Sequence, residues 1–205
     1  MRKSKITKDE KVKWWQGNLF EDDLIELAMA KAYRDLMRTI RGFASHINNT
    51  RIKKNARACI KEYINKTINA SITSQKQFDQ IHRETCEMLI DKFEDQYFTI
   101  GQAQKWINMT FKYLHLLEYE AIENIYEYCH IPIDNYMLNI TNYRMSKTWS
   151  KLNNYDEYIQ YQEWFRNKYN NEIPLDVEFH LWIEEAKNKS NKNLHLENEM
   201  DYVYK

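Results

Sequence analysis

Glycine and proline are nearly missing from this chain: three glycines (Gly17, Gly42, Gly101) and two prolines (Pro132, Pro174) serve 205 residues. A β-sheet fold of that length needs many tight turns, and glycine and proline are the residues such turns use most. No stretch sustains the alternation of apolar and polar residues that marks a half-buried strand. The chain therefore reads as all-α, with helices joined by short polar connections. Aromatic residues make up 14% of it, enough burial to offset chain entropy in a real core.

Helical periodicity places the elements. Tyr33, Leu36, Ile40, Ala44 and Ile47 recur every three to four residues and predict one helix, with Arg34, Arg38 and Arg41 on an adjoining strip. Ile52, Ala56, Cys59 and Tyr63 form the stripe of a second helix over about 51–70, whose polar face carries Arg51, Lys54, Arg57 and Lys61. Ser74 with Gln77 matches a capping box for a helix reaching about residue 96. Residues 97–100 read as a connector, followed by a helix over about 102–118 through Trp106, Met109 and Tyr113, and a short one over 120–128. Asp134, two residues after Pro132, is placed as the N-cap of a helix reaching about Lys147. Asn154 with Glu157 caps the next, to about Tyr169, and Pro174 opens a last one ending near Lys187; residues 189–205 read as a loose polar tail.

Charge and cysteine use exclude several classes. The formal net charge is zero, but its distribution is uneven. Residues 31–76 hold eleven Lys and Arg against Asp35 and Glu62, while residues 77–135 hold four bases against eleven acids. One face is expected to be cationic and suited to phosphate. Cys59, Cys86 and Cys129 are widely spaced with no CxxC pair, so no disulfide framework, metal site or cofactor is expected. No window approaches a membrane span. The expectation is a cytoplasmic protein with no membrane association, working as a monomer. Trp14-Trp15 read as packing residues or as a wedge for DNA.

The rare residues single out two segments. Ile100-Gly101-Gln102-Ala103-Gln104-Lys105 places a glycine four residues before a lysine, and Pro132-Ile133-Asp134-Asn135-Tyr136-Met137 places an aspartate at a helix start. The first resembles the apolar-G-[VI]-G-x-K hairpin of the helix-hairpin-helix DNA glycosylases, with Ala103 in place of the second glycine and Gln102 in place of the branched residue. The second matches that family's P-x-D-x-x-apolar segment. The 29 residues from Lys105 to Asp134 are most similar to the archaeal 8-oxoguanine glycosylase branch. The resemblance covers about forty residues.

That resemblance implies a two-lobed helical bundle with a helix-hairpin-helix-like turn, residues 20–129 forming one lobe and 1–19 plus 130–205 the other. It implies double-stranded DNA as partner and excision of a damaged or modified base, in repair or in defence against modified phage DNA. Lys105 would be the nucleophile for an accompanying lyase step, and Asp134 the carboxylate that faces positive charge developing on the sugar. An extruded base needs aromatic and amide neighbours, for which Gln104, Trp106, His82 and Trp149 are the candidates. Gly101, Arg34, Arg38, Arg41, Lys54 and Arg57 are the candidate DNA contacts.

Two other readings stand beside it. Arg41 and His46 meet the R-x4-6-H signature of HEPN-type ribonucleases, a pattern short enough to arise by chance. A helical module that binds nucleic acid or protein without catalysis needs neither pair to converge.

Overall fold

The computed structural model describes residues 23–94 and 97–187; Trp14, Trp15, the rest of segment 1–19 and the tail 189–205 lie outside the described residues. The described residues hold helices and no strand. In chain order the α-helices are α1 (Leu24–Leu36), α2 (Asn49–Asn69), α3 (Gln75–Asp91), α4 (Ile100–Leu116), α5 (Asn135–Thr141), α6 (Tyr155–Lys168) and α7 (174–187). Short 3-10 turns at Met37–Thr39, Phe43–Ser45, Glu120–Tyr128 and Trp149–Lys151 join them.

Local chemistry sets the ends. Asp23 accepts from the amides of Ile25 and Glu26 to start α1, Ser74 from Gln77 to start α3, and Asn154 from Asp156 and Glu157 to start α6. The Glu157 carboxylate does not close a capping box; it accepts from the Ser146 amide and hydroxyl instead.

The helix expected through residues 33–47 is interrupted. It ends at Leu36, and Gly42, at φ 73°, turns the chain between two 3-10 turns. Ala44 and Ile47, expected on an apolar stripe, are exposed. Likewise α5 stops at Thr141, where Asn142 takes the left-handed conformation, rather than reaching Lys147.

Helix α4 lies at the centre, with 14 of its 17 residues buried. It packs along α1 and touches α3, α6 and two of the 3-10 turns. Trp106 of α4 is fully buried and its indole N–H donates to the Met29 carbonyl of α1. One cluster of buried apolar residues runs from Ile25 to Val177 and so spans both lobes suggested by the sequence.

Beside α4 the core holds a polar network. Asn108 Oδ1 meets His82 Nε2 at 3.0 Å, and Asn108 Nδ2 lies 2.9 Å from the Tyr158 hydroxyl. Tyr158 in turn meets His130 Nδ1, whose Nε2 lies 2.6 Å from Asp79 Oδ1. Burial drives the pKa of His82 well below the usual imidazole range, with the neighbouring His130 adding to the effect. Burial also lowers that of His130, although its bond to Asp79 pulls the other way and the nearby Arg166 charge reinforces it.

Both imidazoles therefore take up a proton less readily in the folded chain than an unfolded histidine does near about pH 6.5. Stability from this source is complete above that pH and is lost as pH falls, at up to about 1.4 kcal/mol per pH unit for each histidine. We expect the urea midpoint to drop between pH 7 and pH 5, and His82→Gln to remove the larger part of that slope. A midpoint independent of pH across this range would contradict the assignment.

Candidate functional site

The site begins at the N-terminus of α4. Thr99 caps the helix by accepting from the Gln102 amide, and the Gln102 side chain accepts from the Thr99 amide, closing a capping box. Gln102 also donates to the Thr39 carbonyl, which ties this end to the turn after α1.

Gly101 sits in the first turn of the helix and is buried, so it faces the fold rather than a surface where it was expected to contact DNA. Its amide donates to the Leu152 carbonyl, and a Cβ built on it would lie 1.6 Å from the Trp149 carbonyl oxygen. Glycine is required here because the Trp149–Lys151 turn presses against the helix backbone.

That close approach brings Trp149 beside Lys105, one turn further along α4. From the other side the extended segment after Pro132 delivers Asp134, at φ −148° and ψ −178°. Its Oδ1 accepts from the Met137 amide and caps α5, while its Oδ2 accepts from Lys105 Nζ at 2.8 Å. The pair is largely enclosed, with side-chain exposures of 7% for Lys105 and 17% for Asp134.

Both residues line a cleft of about 580 Å³. Lys112, two turns from Lys105 on the same face of α4, lines it too and pairs with Glu178 of α7. Burial pushes the Glu178 carboxyl above its ordinary pKa against the pull of Lys112 and Lys105. The Lys112 ammonium also lies 4.3 Å from the centre of the Phe179 ring. Tyr136 and Trp182, stacked with centroids 5.5 Å apart, continue the aromatic lining, and Arg38 adds a cation.

The structure thus brings together Lys105, Asp134, Trp149 and Arg38. It removes three of the four expected base-pocket residues from the cleft. Gln104, Trp106 and His82 are fully buried, each with its polar atoms bonded inside the core. Side-chain type suggested a pocket; a helix buried on nearly every side uses such residues to satisfy neighbouring backbone and side-chain groups instead. Lys112 and Glu178 were missed, although the seven-residue step from Lys105 places Lys112 on the same helical face.

Of the expected DNA contacts, Arg34, Arg38, Arg41 and Lys54 are exposed, whereas Arg57 is half-buried in an ion pair with Glu26. His46 of the ribonuclease pattern lies in the loop before α2 and accepts from the Asn48 amide. Among the described residues, no group of three His, Cys, Asp or Glu could hold a metal ion, and no helix is long and apolar enough to cross a membrane. Comparison with family models, curated proteins and solved structures gives no match to this chain.

Two outcomes follow. Gly101→Ala drives a methyl into backbone, which cannot yield as a side chain would, so we expect a loss of about 3 kcal/mol in urea unfolding; a loss below about 1 kcal/mol would refute the contact. Asp134→Asn keeps a cap but strands a mostly buried ammonium, at a cost of roughly 2 kcal/mol, and adding Lys105→Met should recover most of it. Additive losses in that double-mutant cycle would deny the pairing.

Proposed function

We propose that this cleft is the active centre of a DNA glycosylase that excises a modified base from an extruded nucleotide. The observation that carries it is the meeting of Lys105 and Asp134 at 2.8 Å on the wall of an aromatic cleft, although 29 residues separate them in sequence. With the sugar at this pair, Asp134 faces the positive charge that grows on C1′ as its bond to the base breaks. The Lys105 ammonium passes its proton to the departing base. The amine left behind bonds C1′, and ring opening then yields the Schiff base of a lyase step.

Further along the cleft, two helical turns or about 10 Å from Lys105, the Lys112–Glu178 pair stands at the distance of a base edge. The Lys112 ammonium, held by the enclosed Glu178 carboxylate, complements a carbonyl such as a guanine-type base carries. Tyr136, Trp149 and Trp182 supply faces against which a flipped base stacks. Arg38 at the cleft and the exposed Arg34, Arg41 and Lys54 supply charge for the phosphates.

Borohydride trapping and base release, measured on a panel of duplexes each carrying one modified base, test this reading. We expect release and a covalent adduct on a duplex bearing oxidised guanine, loss of the adduct in Lys105→Gln, and at least a hundredfold slower release in Asp134→Asn with DNA affinity nearly unchanged. Release without adduct would remove the lyase step alone. Neither product with any duplex would overturn the proposal.

A further inference from the structure

The segment 131–134 belongs to no helix or sheet and ends in extended backbone at Asp134, so its buried backbone groups must find partners elsewhere. Two glutamines supply them. The Gln104 side chain of α4 donates to the Ile133 carbonyl at 3.0 Å and accepts from the Ile133 amide at 3.1 Å. The Gln162 side chain of α6 does the same for Ile131, at 2.9 and 3.1 Å. In extended chain, alternate residues present both N–H and C=O to one side, so each side-chain amide acts like one rung of a β-ladder. Pro132, between them, has no N–H to satisfy.

Gln104 is the more constrained of the two. Its Nε2 also donates to the Gly101 carbonyl, and its Oε1 also accepts from Asn108 Nδ2, so two donors and two acceptors are all engaged with no exposure to solvent. The amide cannot rotate without breaking four bonds. It stands next to Lys105 in sequence and grips the peptide group immediately before Asp134. One side chain therefore ties the carbon skeleton that carries the amine to the backbone that carries the carboxylate.

We infer that Gln104 is a positioning residue: its amide holds the Ile133 peptide so that the Asp134 carboxylate stands against Lys105 and the cleft. Its catalytic consequence rests on the glycosylase reading, whereas its geometric consequence does not. A displacement of about 1 Å at reacting groups costs on the order of a hundredfold in rate. Gln162 makes the same type of clamp one rung further from Asp134, so it separates positioning from stability.

The test compares Gln104→Met, Gln104→Glu and Gln162→Met on the full chain. Gln104→Glu keeps the acceptor for the Ile133 amide and loses the donor, so it is the variant to read if Gln104→Met does not fold. Four quantities are measured: stability in urea, single-turnover base release at saturating duplex, Kd for the same duplex, and the coupling of Lys105 to Asp134 from double-mutant cycles in each background. We expect release to fall about a hundredfold in Gln104→Met, with Kd within about twofold and the coupling at least halved. Gln162→Met should lose comparable stability while keeping release within about threefold and the coupling intact. Equal release in the two methionine variants, or unchanged coupling in the Gln104 variants, would overturn the assignment. If the unaltered chain releases no base from any duplex, the glycosylase reading fails, and the coupling measurement still decides the role of Gln104.

Discussion

A helix buried on nearly every side and yet rich in polar residues is the constraint from which the rest of this structure follows. Helix α4 carries Gln102, Gln104, Lys105, Asn108, Thr110 and Lys112 into the interior. None of these side chains can be left unpaired there without a cost comparable to a lost hydrogen bond or more. Thr110 turns back onto the Trp106 carbonyl of its own helix, but the others reach out. Their partners are Thr39, Ile133, Asp134, Tyr158 and Glu178. Each distant segment is thereby tied to a specific level of α4, and apolar packing alone would not select those levels.

The two lysines deserve separate weight because ion pairs away from water are poor stabilising devices. Desolvating an ammonium and a carboxylate offsets most of their attraction, and apolar replacements of similar volume often do as well. Here two such pairs line one cleft, two turns apart on one helix face, among aromatic rings. Most of the Lys61, Arg57 and Arg51 pairings, by contrast, lie nearer the surface, where solvent screens them and they contribute little. The uneven charge along the sequence is thus partly spent within the fold: the basic stretch 31–76 answers Asp23, Glu26 and Glu94 as well as any phosphate.

What could be read in advance divides by the range of the physics involved. The caps at Ser74, Asp134 and Asn154 are local, a short polar side chain beside free amides, and the sequence shows them directly. The all-α class follows from periodicity and the scarcity of glycine and proline. The break after Leu36 was less legible, because Tyr33 to Ile47 keeps a helical period while Gly42 needs only one positive φ to redirect the chain. Lys105 and Asp134 stand out through rare neighbours, and Gly101 has a reason of its own that the sequence does not show: it admits the Trp149 carbonyl. Gln104, Trp106 and His82 have side chains suited to a pocket, and nothing local distinguishes a residue that faces a ligand from one that satisfies the core. Glu178 could not be paired with Lys112 from sequence, since that contact spans 66 residues and depends on where α7 packs.

We propose that the Lys105–Asp134 pair receives the sugar of a displaced nucleotide. A crystal structure of the chain with duplex DNA containing a tetrahydrofuran abasic analogue examines it most directly. On this proposal the sugar ring lies within the cleft, in contact with Lys105 Nζ and an Asp134 carboxylate oxygen, with the phosphates toward Arg38. Duplex bound on another face, with the cleft empty and the Lys105–Asp134 pair untouched, would contradict it.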